Sequence, residues 1–462
     1  MSIDTNSIST RLRRGRFEPA GGRRGPREPV PAAVPAAGPR ATVDLASRRG
    51  AAVLSVGTLA SGLLAYAFNV LAARSLGPAA YGPVAVLWAA VFLSAVVLFR
   101  PLEQTLSRSI AERKAHGIES GNVVRSVARV AAAITAVTMI VCLVAWTPIT
   151  DTLFAGHSGL TLALAVSILG YCLSYLVRGV VGGLRWFGGY GVLLLADGGV
   201  RLLVAAPLVF IASPGVAATA VALAAVGGAI APLMVRRHRL RDRLQEDGSA
   251  DFDVYEALRF AGPVTAVAAA EQVLVSGGPL LVMLAGGSGA AAAAGVVFAA
   301  TMLVRGPVFL FQGISAALLP SLTRLDALGD RAKFRRSVLQ VAALVGVFSG
   351  LLVAGALAVG PQAMNMLYGD GFEATRFELA LLCAGIGAYL LAATLSQAVL
   401  ARGQARAAGT IWGLAAFAFV GIELLATGSS LHRVSVAFAA AAFLMAALFI
   451  ALVTRRRWEA RS

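Results

Sequence analysis

Charged side chains are scarce in this chain: Asp, Glu, Lys and Arg make up 14% of its 462 residues, against 58% hydrophobic. That balance excludes a water-soluble globule, because no soluble core of this length could bury so much apolar surface. Cysteine is scarcer still. Cys142, Cys172 and Cys383 all fall inside apolar runs, with no metal-ligand spacing and no paired external position. This excludes a disulfide framework and a zinc site and leaves them as small core residues. A phosphate loop of the form G-x-x-x-x-G-K-S/T is missing, and with it any ATP-hydrolysing machinery of the chain's own. The alternating ten-residue segments of an outer-membrane barrel are missing too. No cleavable signal is expected either: residues 1–48 have no apolar core, and the first long apolar run is expected to act as a signal anchor.

What the chain has in abundance is apolar runs of about twenty residues, each long enough to cross roughly 30 Å of hydrocarbon. Twelve spans are predicted, over 51–73, 81–99, 127–147, 160–181, 191–212, 215–235, 258–285, 290–319, 338–360, 377–400, 410–427 and 434–453. The expected fold is therefore an all-α integral membrane protein. The formal net charge is +17, and its distribution says what it is for. Basic residues gather in the amino-terminal tail, over 100–129, at Arg185, in 236–243, in 324–336, at Arg402 and Arg406 and at the carboxyl end. The intervening connections hold only Arg74, Arg376 and Arg433. This alternation follows the positive-inside rule, so both termini and the basic loops are expected in the cytoplasm. The bilayer, not nucleic acid, is the partner it implies.

Residues 1–48, rich in Arg, Pro, Ala and Gly, read as a disordered basic cytoplasmic tail. Residues 49–235 are expected to form an N-terminal six-helix lobe and 257–453 a C-terminal one. Between them lies a cytoplasmic linker over 236–256, and 454–462 form a second basic cytoplasmic tail. An even number of spans per half makes the repeats parallel. Tyr81-Gly82 corresponds to Ala294-Gly295 about 213 residues on, Leu106-Ser107-Arg108 falls on Leu319-Pro320-Ser321, and Leu184-Arg185 lies about 216 residues before Leu400-Ala401-Arg402. A constant offset points to one duplication and two lobes around a central cleft. Spans seven and eight carry helix breakers, Gly277, Gly278 and Pro279 in one, Gly306 and Pro307 in the other. Interrupted helices are tolerated at membrane depth where neighbours or a wet cavity satisfy the freed backbone groups. These residues are expected as hinges beside a pathway, the alternative being ordinary packing kinks.

Ionisable groups inside the spans need a reason to be there, since each costs about 2.5–3.5 kcal/mol at a helix centre. Asp197 and Arg201 are spaced to pair on one face of span five, as a structural pair or a coupling site. Glu271 in span seven and Glu423 in span eleven have no basic partner nearby in sequence; either could bind a coupling proton or sodium ion. Arg305 stands near mid-membrane, where its fork suits phosphate oxygens. Arg100, Arg178 and Arg259 lie nearer span ends and could snorkel. The external connections are short and hold scattered acids such as Asp151, Asp370 and Glu373, which argues against an enzyme. No catalytic residue, resident cofactor or metal is expected.

The first span and its exit, Leu71-Ala72-Ala73-Arg74-Ser75-Leu76-Gly77-Pro78-Ala79-Ala80-Tyr81-Gly82, resemble the AR-x-LG-x-x-x-YG signature of the polysaccharide-biosynthesis flippases. These belong to the multidrug/oligosaccharidyl-lipid/polysaccharide exporter superfamily. Arg305-Gly306-Pro307-Val308-Phe309-Leu310 and Leu318-Leu319-Pro320-Ser321-Leu322 are similar to that family's eighth-span pattern. The resemblance implies two six-helix lobes around a cationic cavity that opens alternately to either side. Its lining would come from spans one, two, seven and eight, to which Arg74, Arg100, Arg259 and Arg305 belong. It also implies a lipid-linked glycan substrate, an oligosaccharide on a polyprenyl diphosphate, with a proton or sodium gradient as the candidate energy source. Glycan-polymerising enzymes are the further partners it suggests. The family's Asn-x-Asp-like pair in span seven is replaced here by Val275-Ser276-Gly277-Gly278-Pro279, so ion coupling through that pair does not carry over. Within the motif, Gly77, Pro78 and Gly82 are expected to shape a tight external turn, with Arg74 at the exit of span one.

The rivals are a cation-coupled drug or small-solute exporter of the same superfamily and a non-transport scaffold for cell-envelope enzymes. A major-facilitator transporter is disfavoured, because Arg100-Pro101-Leu102-Glu103-Gln104 lacks the Gly-x-x-x-Asp-Arg pattern. Abundant Arg, Ala and Gly suggest a GC-rich bacterial genome, actinobacterial in character, and so a multi-pass protein of a bacterial inner membrane.

Overall fold

The computed structural model describes residues 40–116, 120–244, 254–306, 331–401 and 404–455; side chains are described over 56–116, 120–234, 265–306, 332–400 apart from 334, and 404–453. The body considered below is the compact unit Ala46–Ser462; Met1–Leu45 form a separate unit. Among the described residues the structure is all helix, with one short 3-10 turn and no strand. Such uninterrupted apolar stretches must pair every backbone group internally, and a helix does so within one segment.

Helix α1 (Arg40–Ala115) runs for 76 residues. Straight, it would measure about 114 Å, nearly four times the hydrocarbon thickness, so it has to fold back. It does so at Gly77, whose φ of 69° and ψ of 169° are the non-helical values inside it. The surroundings of Gly77 are open, so glycine stands there for its backbone and not for space. This corrects the expected turn: the reversal takes one residue. Pro78 opens the second half, where its missing N–H is no loss, and Gly82 lies inside the helix. The helix also begins at Arg40, within the segment expected to be a tail.

The rest follow as α2 (Gly121–Val144), α3 (Trp146–Leu153), α4 (Ser158–Gly183), α5 (Phe187–Ala205), α6 (Pro214–Leu244), α7 (Val254–Ala285), α8 (Ala290–Gly306), α9 (Arg331–Tyr368), α10 (Arg376–Ala401), α11 (Ala405–Leu425) and α12 (Ser430–Arg455). Ten described stretches are long and apolar enough to cross a membrane. The two halves of α1, counted there as one, and the shorter α8 bring the crossings to twelve, with α3 a short surface piece. Helix α6 continues to Leu244, so the described start of the predicted 236–256 linker is helical. One expectation is corrected. Helix α7 runs unbroken through Gly277, Gly278 and Pro279, where the sequence predicts an interruption. The two glycines instead admit close neighbours: a Cβ at Gly278 would lie 2.9 Å from Val434, and one at Gly277 3.3 Å from Phe419.

Helices α4 and α5 pack against α6 in the first lobe, while in the second α10 packs against α9 and α12, and α11 against α12 and α7. The lobes meet at the Gly77 end. A Cβ on Gly82 would run into the carbonyl of Ala291, and one on Gly295 into the carbonyl of Pro78. Each residue of one contact lies 213 positions from its counterpart in the other, the offset of the sequence repeat. The two helices therefore cross about a pseudo-twofold axis, backbone on backbone. Around the crossing Tyr81 packs between Phe298 and Phe372, with ring centroids 6.2 and 6.0 Å away, and its hydroxyl donates to Asn69 at 3.0 Å. On the periphery, Leu339, Val347, Leu351 and Val359 of α9 remain exposed, a face suited to lipid.

Candidate functional site

Beneath that crossing the lobes part around a cavity of about 220 Å³. The first lobe contributes Ser61 and Tyr66 from the first half of α1, Trp88 and Phe92 from its second half, Arg178 from α4, and Asp197 and Arg201 from α5. The second lobe contributes Gln272 and Ser276 from α7 and Met302 and Arg305 from α8. Three guanidiniums and one carboxylate thus face a space otherwise walled by apolar and aromatic groups.

Each charge is held differently. Arg201, 1% exposed, donates to Asp197 at 2.8 Å and to the Tyr171 hydroxyl at 3.0 Å. Tyr171 in turn donates to the other Asp197 oxygen at 3.3 Å. The Arg201 guanidinium lies 4.6 Å from the Trp88 ring, which also stacks with Phe68 at 5.5 Å. Spacing four residues apart on one helix makes the pair; packing from α1 and α4 desolvates it. Arg178 lies over Tyr175 at 4.9 Å, and its Nε, like that of Arg201, is buried without a hydrogen-bond partner. Arg305 is half-buried and donates to the carbonyl of Val275 at 3.2 Å. Near it Tyr389 of α10 donates to Glu271 at 2.7 Å.

The structure therefore brings together Arg178, Asp197, Arg201 and Arg305, and sets other predicted residues apart. Arg74 is exposed at the Gly77 end and donates to the carbonyl of Met366 at 3.2 Å, a strap between the lobes and not a cavity group. Arg100 is half-buried on the second half of α1 outside the cavity lining, within electrostatic reach of Glu271 and Glu103. Glu423 is fully buried and accepts from Arg433 of α12 at 2.9 Å, which answers the missing local partner with one from the next helix. The side chain of Arg259 and the whole of Pro307 lie outside the described residues, and Gly306 ends the described part of α8.

Sequence reasoning missed Trp88, Phe92, Tyr171 and Tyr389. Each sits in an ordinary apolar helix, and what makes it part of the site is a neighbour 26 to 118 residues away. A second cavity, among α8 and the starts of α10 and α12, is lined by Glu373, Thr375, Glu378 and Ser429. Three of these serve as caps: Thr375 and Glu378 form a reciprocal capping box, and Ser429 accepts from the backbone of His432. Among the described residues no group of His, Cys, Asp and Glu could hold a metal ion.

Comparison with known proteins agrees with this architecture. Residues 47–326 match the family described as polysaccharide biosynthesis protein. An uncharacterized protein of Mycobacterium tuberculosis, Rv3630, is 28% identical over 273 residues, covering 56% of this chain and 58% of that one. Its counterpart in Mycobacterium bovis, Mb3654, matches equally. The chain thus spans less than two thirds of the length of these curated relatives. Among solved structures, a mutant of the Vibrio cholerae MATE transporter VcmN superposes with a TM-score of 0.61 at 17% identity, covering 91% of this chain and 99% of that one. An inward-facing multidrug resistance MATE transporter gives 0.62 at 16% identity, covering 87% and 98%. A transporter from Pyrococcus furiosus, described as having a binding pocket of reverse polarity, gives 0.60 at 15%, covering 88% and 95%. These likenesses establish the fold, two bundles of membrane helices about a cleft. With more than half of its length matched, the chain belongs to the polysaccharide biosynthesis protein family.

Proposed function

We propose that this protein moves a polyprenyl-diphosphate-linked oligosaccharide or cell-wall glycan precursor across a bacterial inner membrane by alternating access. The observation that carries this reading is the set of guanidiniums at Arg178, Arg201 and Arg305, drawn from both lobes around one cavity with Asp197 as the single carboxylate. Asp197 is taken by Arg201, so an anionic headgroup would answer Arg178 and Arg305, and Arg suits paired phosphate oxygens better than a point charge would. The lipid tail would remain in the bilayer. On the positive-inside orientation the Gly77 end would face outward, and the Gly82 and Gly295 crossing would be the external closure. Transport would require that crossing to open and the opposite end to close.

The test is depletion in cells: lipid-linked glycan is expected to accumulate on the cytoplasmic face, with a complementing Arg305→Ala copy failing to relieve it at normal expression. Full relief by Arg305→Ala would sink the reading. The second reading, a cation-coupled drug exporter, draws on Glu271 held by Tyr389 and on the MATE-type fold. It predicts unchanged glycan and altered drug resistance. Energy coupling is assigned to a proton or sodium gradient through Glu271 or Asp197, and loss of gradient dependence in Glu271→Gln or Asp197→Asn would identify which.

A further inference from the structure

We propose that Pro279 is a positioning residue for Arg305: by leaving the Val275 carbonyl without a helical donor, it creates the anchor that holds the guanidinium in the cavity. In an α-helix the carbonyl of residue 275 accepts from the N–H of residue 279. Proline has no N–H, so within an unbroken α7 the Val275 carbonyl is orphaned where water is scarce, at a cost no buried backbone group normally bears. Arg305, arriving from α8, donates to that oxygen at 3.2 Å. The sequence feature that signals a break and the one that signals a binding group are therefore one arrangement. The missing hydrogen bond of α7 is supplied by the side chain it helps to place.

A guanidinium carries five N–H donors, so one spent on Val275 leaves others for a ligand. The inference rests on the anionic-substrate reading for its consequence but not for its geometry. A long side chain tethered at one corner has already lost much of its rotamer freedom, and that loss is no longer charged to binding. Gln272 and Ser276, on the same stretch of α7, line the cavity beside it. Arg305 is thereby fixed relative to one wall, whereas an untethered arginine would sample the whole space.

The experiment is a double-mutant cycle on the full chain in nanodiscs, with farnesyl diphosphate as the probe. Pro279→Ala returns an N–H to α7 and gives the Val275 carbonyl a helical donor, so the oxygen no longer depends on Arg305 and its hold on the guanidinium weakens. Its affinity should fall about three- to tenfold, the worth of one immobilised side chain. In an Arg305→Ala background the same change should do nothing. An equal loss in both backgrounds would overturn the proposal, since Pro279 would then act through helix shape alone. A ligand-free readout separates the two readings: the 13C carbonyl shift of Val275, selected by 13C-valine and 15N-serine pair labelling and assigned by its loss in Ser276→Ala. It should move to the unbonded position in Arg305→Ala and return in Pro279→Ala/Arg305→Ala. A shift indifferent to Arg305→Ala overturns the positioning role whatever binds. Wild-type protein that ignores the diphosphate but shows the expected shifts keeps the role and discards the substrate.

Discussion

In the cavity wall, Arg201 is nearly sealed, with Asp197, the Tyr171 hydroxyl and the Trp88 ring as its neighbours. Asp197→Asn leaves that guanidinium buried and unpaired, and breaking such a pair typically costs about 3–5 kcal/mol. The purified variant should melt well below wild type, while Asp197→Asn/Arg201→Met should recover most of the loss. A double variant as unstable as the single one would show that shape, not charge, governs the site. This pair was legible from its four-residue spacing. The partners of Glu271 and Glu423 were not, because Tyr389 and Arg433 reach them from other helices. Arg74 was legible as a motif residue, but its bond to Met366, 292 positions on, places it between the lobes and away from the cavity.

Among the elements, α1 concentrates its demands in Gly77. Its φ and ψ fall in a region that side chains other than glycine essentially avoid, at a cost of about 1–3 kcal/mol. Gly77→Ala should lower the melting temperature although nothing crowds the position. Gly77→Asn should not rescue it, because the ψ lies outside the left-handed helical well that Asn tolerates. Rescue by Asn would mean that the observed backbone is not required. Helix α7 teaches the converse. Pro279 and two glycines read as a break, yet the helix continues, because packing against Phe419 and Val434 uses the glycines and Arg305 answers the proline. Local breaker signals report which hydrogen bonds are lost, not whether a neighbour restores them.

For the whole molecule, the crossing of Gly82 over Ala291 and of Gly295 over Pro78 leaves no room for a methyl group. Gly82→Ala should therefore disfavour this conformer without unfolding either lobe. Spin labels at the exposed Ser158 and Glu373 of a cysteine-free background, both at the Gly77 end, should report a longer distance in the variant than in wild type. An unchanged distribution in a well-folded variant would remove the crossing from any gating role.

The number of spans, their helical nature and the doubling of the chain were all determined by the sequence, since each rests on a local quantity: apolar length, absence of alternation, a repeated offset. Hydrocarbon imposes these one segment at a time. Which charges meet was decided only in the tertiary structure. Arg178, Arg201 and Arg305 share a cavity while Arg74 does not, and that outcome depends on how helices far apart in the chain rotate against one another. Nothing in apolar periodicity records that rotation. It is set by close approach at a few glycines and aromatics, and those residues look, in sequence, like the rest of the membrane-crossing chain.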